Sequence, residues 1–123
     1  MRIIKSLISM TIALIVMLGS AIILTNTALA IDAKTIEEGG KIAFHRKKGN
    51  CLACHAIEGG RLPGNIGPPL VNMKDRYPDK SQLRTQIWDA TKNNPNSIMP
   101  PFGRHAILSE EEIDKVVEFI HTL

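Results

Sequence analysis

Cysteine is scarce in this chain: only two of its 123 residues, Cys51 and Cys54, carry a thiol. Both lie in one pentapeptide, so no cysteine is left for a structural disulfide. Apolar and polar residues nowhere alternate over a useful length, which argues against strands and against the βαβ setting of a redox dithiol. A zinc module would need two further ligands, for which His105 and His121 are candidates, but no second paired-ligand motif is present.

An excess of charge is also lacking. The formal net charge is +3, but Arg2 and Lys5 open an apolar N-terminal segment, and without them 13 basic residues face 12 acidic ones, a net charge of +1. The basic residues form no stripe with interleaved aromatic side chains. We therefore expect no nucleic-acid partner.

The N-terminal segment has the pattern of a secretory leader. Residues 7–24 are almost wholly apolar and uncharged, and Ala28-Leu29-Ala30 offers a cleavage site. This predicts a signal peptide over residues 1–30, export to the periplasm and one mature domain over residues 31–123. The apolar run is close to the length of a membrane span, so an uncleaved anchor is the alternative, and membrane attachment is expected only in that case.

The pentapeptide Cys51-Leu52-Ala53-Cys54-His55 reads C-x-x-C-H, which is the attachment motif of a c-type haem. Two thiols at this spacing reach the two vinyl groups of one porphyrin and become thioethers. The imidazole of His55 then faces the iron as its proximal ligand. The motif predicts one covalent haem c, and attachment outside the cytoplasmic membrane agrees with an export signal.

The rest of the mature chain has a helical pattern. Residues 32–48 predict a first helix, in which a tolerated Gly40 suggests that another helix passes close. Residues 80–91 predict a middle helix, and Ser109 with Glu112 forms a capping box at the start of a last amphipathic helix. Two glycine- and proline-rich loops separate these helices, over residues 59–69 and 93–103. An all-α domain with such long loops needs something large at its centre.

The position opposite His55 suits a thioether, which favours ferrous iron in an electron-transfer haem. Met99 is the better candidate because it lies in a loop and precedes Pro100-Pro101, whose fixed φ stiffens the backbone. Met73 is flanked by charged residues and is expected to serve packing or the surface. His105 follows the same loop as Met99 and stays open as a rival ligand.

The loop Gly67-Pro68-Pro69-Leu70 is rigid and suited to the proximal side of the haem. We predict that the Pro68 carbonyl accepts a hydrogen bond from the second ring nitrogen of His55, which fixes the tautomer and the ring orientation. Leu70 would add an apolar wall. The alternative is that these residues form only a turn.

In the order of its motifs the chain resembles the class I cytochromes c. A first helix with G-x-x-x-F at Gly40 and Phe44 is followed by C-x-x-C-H, a G-P-x-L loop, Met99 and a final helix. The resemblance implies an all-α class I cytochrome c fold, in which the final helix crosses the first and long loops wrap around one covalent haem.

A narrower resemblance, to the SoxX family, covers nearly all of the mature chain. It rests on residues 49–55 (GNCLACH), 66–70 (IGPPL) and 94–109 (NPNSIMPPFGRHAILS). SoxX cytochromes are the monohaem subunits of SoxAX complexes, which join thiosulfate oxidatively to a carrier-protein cysteine in the periplasm. The resemblance implies a SoxA-type cytochrome partner that holds the catalytic haem, a soluble cytochrome c as electron acceptor, and indirect contact with the carrier protein.

Outer-sphere electron transfer is the function that these residues predict. Both thiols are used by the haem, no nucleophile or acid–base pair is evident, and His55 with Met99 leaves no open position on the iron. Whether the chain counts as an enzyme is open, since it would be the electron-transfer subunit of an L-cysteine S-thiosulfotransferase. A free-standing soluble carrier and a haem-based ligand sensor are the alternatives.

Overall fold

Residues 32–123 are described in the structure, which is a computed structural model, and no strand occurs in that range. Residues 34–123 form one compact unit. The all-α fold class is confirmed, whereas the leader predicted over residues 1–30 lies outside the described residues. Within residues 32–123 no helix has both the length and the apolar character needed to cross a bilayer. The α-helices of this range are α1 over residues 32–44, α2 over Met73–Arg76, α3 over Lys80–Trp88 and α4 over Glu110–Ile120.

Helix α1 ends at residue 44, four residues before the end predicted from the sequence. The backbone N–H groups of His45 and Gly49 both donate to the carbonyl of Ile42, at 3.1 and 3.2 Å, which closes the chain into a turn. Asn50 then adopts the left-handed conformation, with φ of 46°. This reversal sets the direction in which the C-x-x-C-H motif begins.

The middle helix is also shorter than predicted, because α3 stops at Trp88. Asp89 is extended, with φ of −159°, and its side chain caps a separate 3-10 turn, Ala90–Lys92, by accepting from the N–H of Thr91. A carboxylate that binds backbone N–H groups outside a helix competes with helix propagation. The predicted span of residues 80–91 therefore consists of two elements.

Two adjacent glycines let α1 and α4 pass close to each other, as Gly40 predicted. Gly39 is the tighter position, because a Cβ added there would overlap the carbonyl oxygen of Lys115. A Cβ at Gly40 would lie 3.2 Å from the ring of Phe119, which itself meets Phe44 edge to face with ring centroids 5.8 Å apart. The crossing expected from the family resemblance is present.

Helix α4 is stabilised by a cap at its N-terminus, by ion pairs with α3 and by the buried core. The capping box is formed as predicted, since Ser109 accepts from the N–H of Glu112 and Glu112 accepts from the N–H of Ser109. Arg84 of α3 pairs with Glu110 and Asp114 of α4. The buried core is formed by α2, α3, α4 and the loop after residue 99. Its residues are Met73, Leu83, Ile87, Phe102, Leu108, Ile113, Val116, Val117 and Ile120.

Gly39→Ala is expected to lower the free energy of unfolding by about 1–3 kcal/mol, because the added methyl meets backbone and forces the helices apart. This loss should appear although alanine favours a helix over glycine by roughly 1 kcal/mol. Gly40→Ala is the matched control, because the Phe119 ring can turn away, and it should cost less than half as much. Denaturant unfolding of the holoprotein measures both. Equal stabilities of the two variants would contradict the tight crossing at Gly39.

Candidate haem site

The compact unit contains a cavity of about 670 Å³, a size typical of pockets that hold cofactors. Every residue that the sequence predicted for the haem site lines it: Cys51, Cys54, His55, Pro68, Leu70 and Met99. Its inner wall is apolar, because α3 and α4 expose to it part of the same core that joins them. The core residues on this wall are Met73, Leu83, Ile87, Phe102, Leu108, Val116 and Ile120.

The C-x-x-C-H motif reaches the cavity through a single 3-10 turn, Cys51–Ala53. The N–H groups of Cys54 and His55 both donate to the carbonyl of Cys51, at 3.2 and 2.9 Å. These two bonds bring the thiols and the imidazole to one side of the turn, where all three line the cavity. Neither thiol is in a disulfide.

The protonation state of the Cys51 thiol bears on whether the motif serves a haem, a zinc ion or a redox dithiol. Burial raises its pKa to about 11, and the neighbouring Cys54 adds to the shift, so this thiol is protonated at neutral pH. Redox nucleophiles are thiolates, which need a lowered pKa. No cluster of three or more His, Cys, Asp or Glu side chains suited to a metal ion occurs within residues 32–123. The donor set therefore fits a porphyrin better than a zinc ion or a reactive dithiol.

The imidazole of His55 is fixed from behind by the proline loop. Its Nδ1–H donates to the carbonyl oxygen of Pro68 at 2.7 Å. The ring also lies against Gly67, where an added Cβ would overlap the Cε1 atom. Because Nδ1 is engaged, Nε2 is the nitrogen that remains for a metal. This is the second-ring-nitrogen contact that the sequence predicted for Pro68.

The proline loop is itself tied to the motif by backbone hydrogen bonds. Gly67 N donates to Cys54 O at 2.8 Å, Gly64 N donates to Leu52 O at 2.8 Å, and Leu70 N donates to Ala56 O at 2.9 Å. Leu70 packs against the core and contributes an apolar part of the cavity wall. Residues 64–70 and the motif therefore form one rigid support for the proximal side.

Met99 is half-buried, lines the cavity and packs against the core. The rival Met73 also reaches the cavity but is 1% exposed, and its sulfur accepts a hydrogen bond from the guanidinium of Arg76 at 3.2 Å. The sequence allowed either a packing or a surface role for Met73, and its burial shows that it packs in the core. His105, the open rival, is exposed and does not line the cavity.

The rim of the cavity is a feature that sequence analysis did not find. Its charged members are all cationic, and no carboxylate lies among the described residues that line the cavity: the cations are Arg46, Lys47, Lys48 and Arg76. Ile66 and Ile98 lie on the same rim and are 64% and 78% exposed. The basic run Arg46-Lys47-Lys48 is visible in the sequence, but only the fold shows that it borders the cavity.

Comparison with known proteins places the chain among the c-type cytochromes. Residues 36–120 match the protein family described as cytochrome C oxidase, cbb3-type, subunit III. The chain belongs to this family of c-type cytochromes, whose members bind haem c covalently and transfer electrons. The solved structure titled "Crystal structure of SoxXA from P. pantotrophus" matches with a TM-score of 0.63 and 31% identity, over 70% of this chain and 79% of that one. The protein is thus a SoxX-like cytochrome.

A curated relative is the "Uncharacterized lipoprotein" of Aquifex aeolicus (strain VF5), which is 37% identical over 76 residues. The matched part is 61% of this chain but only 37% of the lipoprotein. The chain thus spans little more than a third of the length of that relative.

Gly67→Ala is expected to push the His55 ring away from Pro68. The Nδ1 hydrogen bond makes the imidazole a stronger donor to iron and so favours the ferric state. Its loss should raise the midpoint potential of the holoprotein by on the order of tens of millivolts, measured by spectroelectrochemical titration. Gly60→Ala is the control in the same loop, because its methyl overlaps only the flexible end of Leu52 and lies 3.0 Å from the carbonyl oxygen of Ile57, without meeting the His55 ring. A potential that stays at the wild-type value in Gly67→Ala would argue against this role of Pro68.

Proposed function

We propose that this chain is the monohaem subunit of a SoxAX-type, thiosulfate-oxidising complex. One haem c would be attached to Cys51 and Cys54, with His55 and Met99 on opposite sides of the iron. The observation that supports this most is the meeting of these four side chains, from two distant segments, in one cavity with an apolar inner wall. Pro68 and Leu70 complete the proximal side.

The residues suit electron transfer without bond making. When bound, haem c supplies a one-electron couple to this site. Pro68 keeps the His55 imidazole in one tautomer and one orientation, and the thioether of Met99 favours the ferrous state. The core side chains on the inner wall exclude water. With His55 and Met99 both serving the iron, no position would be left there for a substrate, and the site would carry electrons only.

In the proposed complex, this chain would transfer electrons and its partner would carry out the sulfur chemistry. The partner is proposed to be a SoxA-type cytochrome, and the match to a SoxXA structure supports this. Sulfur chemistry would take place on that partner, because both thiols of this chain serve the haem. The electrons would pass to a soluble cytochrome c, and the carrier protein bearing the substrate cysteine would contact this chain only indirectly.

Export to the periplasm is part of the same proposal. The apolar segment over residues 7–24 and the Ala28-Leu29-Ala30 site support a signal peptide over residues 1–30. Periplasmic thiosulfate oxidation and covalent haem attachment both require the mature domain outside the cytoplasmic membrane. The mass of the mature chain tests the cleavage directly.

The cavity rim is the surface through which the partner would approach. Ile66 and Ile98 supply exposed apolar area beside the opening, and Arg46 and Lys47 are exposed cations on the same rim. No acidic residue of α4 lines the cavity, although Glu112 pairs with Lys48 of the lining. An acidic surface on the partner would therefore be attracted to the rim and steered toward the haem edge.

Met99→Ala should abolish the weak far-red absorption of ferric haem that marks an iron–thioether bond, and should let ferrous protein bind carbon monoxide stoichiometrically at neutral pH. Met73→Leu is the matched control, since Met73 is the other methionine that lines the cavity, and it should behave as wild type in both assays. Persistence of the band in Met99→Ala, or its loss in Met73→Leu, would assign the ligand elsewhere. Carbon monoxide binding to wild type would favour the sensor alternative.

Purification of the tagged chain from its native organism should bring down a second c-type cytochrome whose iron has a cysteine ligand.

Lys47→Glu is expected to weaken the association with that cytochrome by about tenfold, with a smaller dependence on salt, as measured by titration of the purified subunits. Lys74→Glu is the control, because Lys74 is exposed but does not line the cavity. A chain that elutes alone would favour the free-standing carrier, and equal effects of the two substitutions would exclude the rim as the docking surface.

A further inference from the structure

Asp89 is a buried charged residue that has no role in the electron transfer proposed above. It is 2% exposed, and no other charged residue within residues 32–123 is buried. Its Oδ1 accepts from the N–H and the hydroxyl of Thr91, at 3.1 and 2.5 Å, and its Oδ2 lies 3.1 Å from Nη1 of Arg104. These hydrogen bonds, those of Thr91 first, hold the pKa of Asp89 below its ordinary value. A buried carboxylate is costly unless it is paired in this way.

The ion pair joins the two ends of the segment that carries Met99. Asp89 follows α3 directly, and Arg104 comes after the Met-Pro-Pro-Phe-Gly stretch, so residues 90–103 lie between them. The backbone supports the same junction, because the N–H groups of Gly103 and Arg104 approach the carbonyl of Trp88 at 3.1 and 3.4 Å. The loop is thus closed at its base, next to the end of α3.

Beyond this base, the backbone of the loop is held mostly by its own neighbours. Asn96 N donates to the side chain of Asn94 at 3.0 Å, and Met99 N approaches the hydroxyl of Ser97 at 3.3 Å. Such bonds between residues two apart shape the loop but do not orient it toward the cavity. Orientation comes from the buried ring of Phe102 and from the closed base.

We propose that Asp89 and Arg104 are positioning residues that keep Met99 at the iron. The inference rests on the proposed function, which makes Met99 the axial ligand. When the pair is intact, the base of the loop has one arrangement, and the thioether stays directed into the cavity. When the pair is lost, Phe102 and the backbone bonds to Trp88 still hold the loop, but its base is less fixed, and Met99 leaves the iron more often.

Imidazole added to the ferric holoprotein tests this directly. It can bind the iron only while Met99 is away, so its apparent affinity reports the fraction of molecules with the thioether displaced. Asp89→Asn keeps an oxygen for Thr91 but loses the charge that attracts Arg104. We expect this variant to bind imidazole about tenfold more tightly than wild type. Arg104→Gln should have a similar effect, and Arg104→Lys, which restores the cation, should return the affinity to within about threefold of wild type.

A matched control separates positioning from a general loss of stability. Lys80→Gln removes the ion pair between the first residue of α3 and Glu118 of α4, at the end of α3 opposite to the Met99 loop. It should lower the free energy of unfolding while the imidazole affinity stays at the wild-type value.

Three results would overturn the inference. These are wild-type imidazole affinity in Asp89→Asn, equal tightening in Lys80→Gln, and failure of Arg104→Lys to restore the affinity. If Met99→Ala has the same ferric spectrum as wild type, the failure is of a different kind. It would refute the ligand assignment of the proposed function, and the positioning role with it.

Discussion

The structure depends on a core that is shared between helix packing and a cofactor cavity. Leu83, Ile87, Val116 and Ile120 join α3 to α4 and at the same time form the inner wall of the cavity. In a domain of this size few apolar side chains are available, so the same ones must do both. A porphyrin in the cavity would extend this apolar core, which explains how long loops and short helices can make a stable unit.

The two sides of the cavity are supported by different physical means. On the proximal side, backbone hydrogen bonds join residues 64–70 to the motif, and the His55 ring lies between the Pro68 carbonyl and Gly67. On the other side, Met99 lies in a loop that is closed at its base by an ion pair and anchored by Phe102. The first support consists of backbone bonds, whereas the second combines backbone bonds to Trp88 with an ion pair and a buried ring.

Charge is distributed unevenly around this core. Carboxylates of α4 pair with Lys48, Lys80 and Arg84, and Lys115 of α4 pairs with Glu38 of α1, which ties the helix to its neighbours. The cavity lining has cations and no carboxylate among the described residues. The ion pairs around α4 serve the fold, whereas the exposed cations Arg46 and Lys47 suit an acidic partner. Lys48 belongs to both regions, because it lines the cavity and pairs with Glu112.

By itself, the sequence determined the features whose signals are local. The haem motif, the capping box of Ser109 and Glu112, the two loops and the glycine-marked crossing could be predicted because each depends on residues a few positions apart or on one residue type. The tertiary structure decided what depends on distant residues: the early end of α1, the tighter approach at Gly39, the burial of Met73 and the exposure of His105. It also decided that Arg46 and Lys47 border the cavity and that Asp89 meets Arg104. These are distances between segments far apart in the chain, and packing sets them after the local elements have formed.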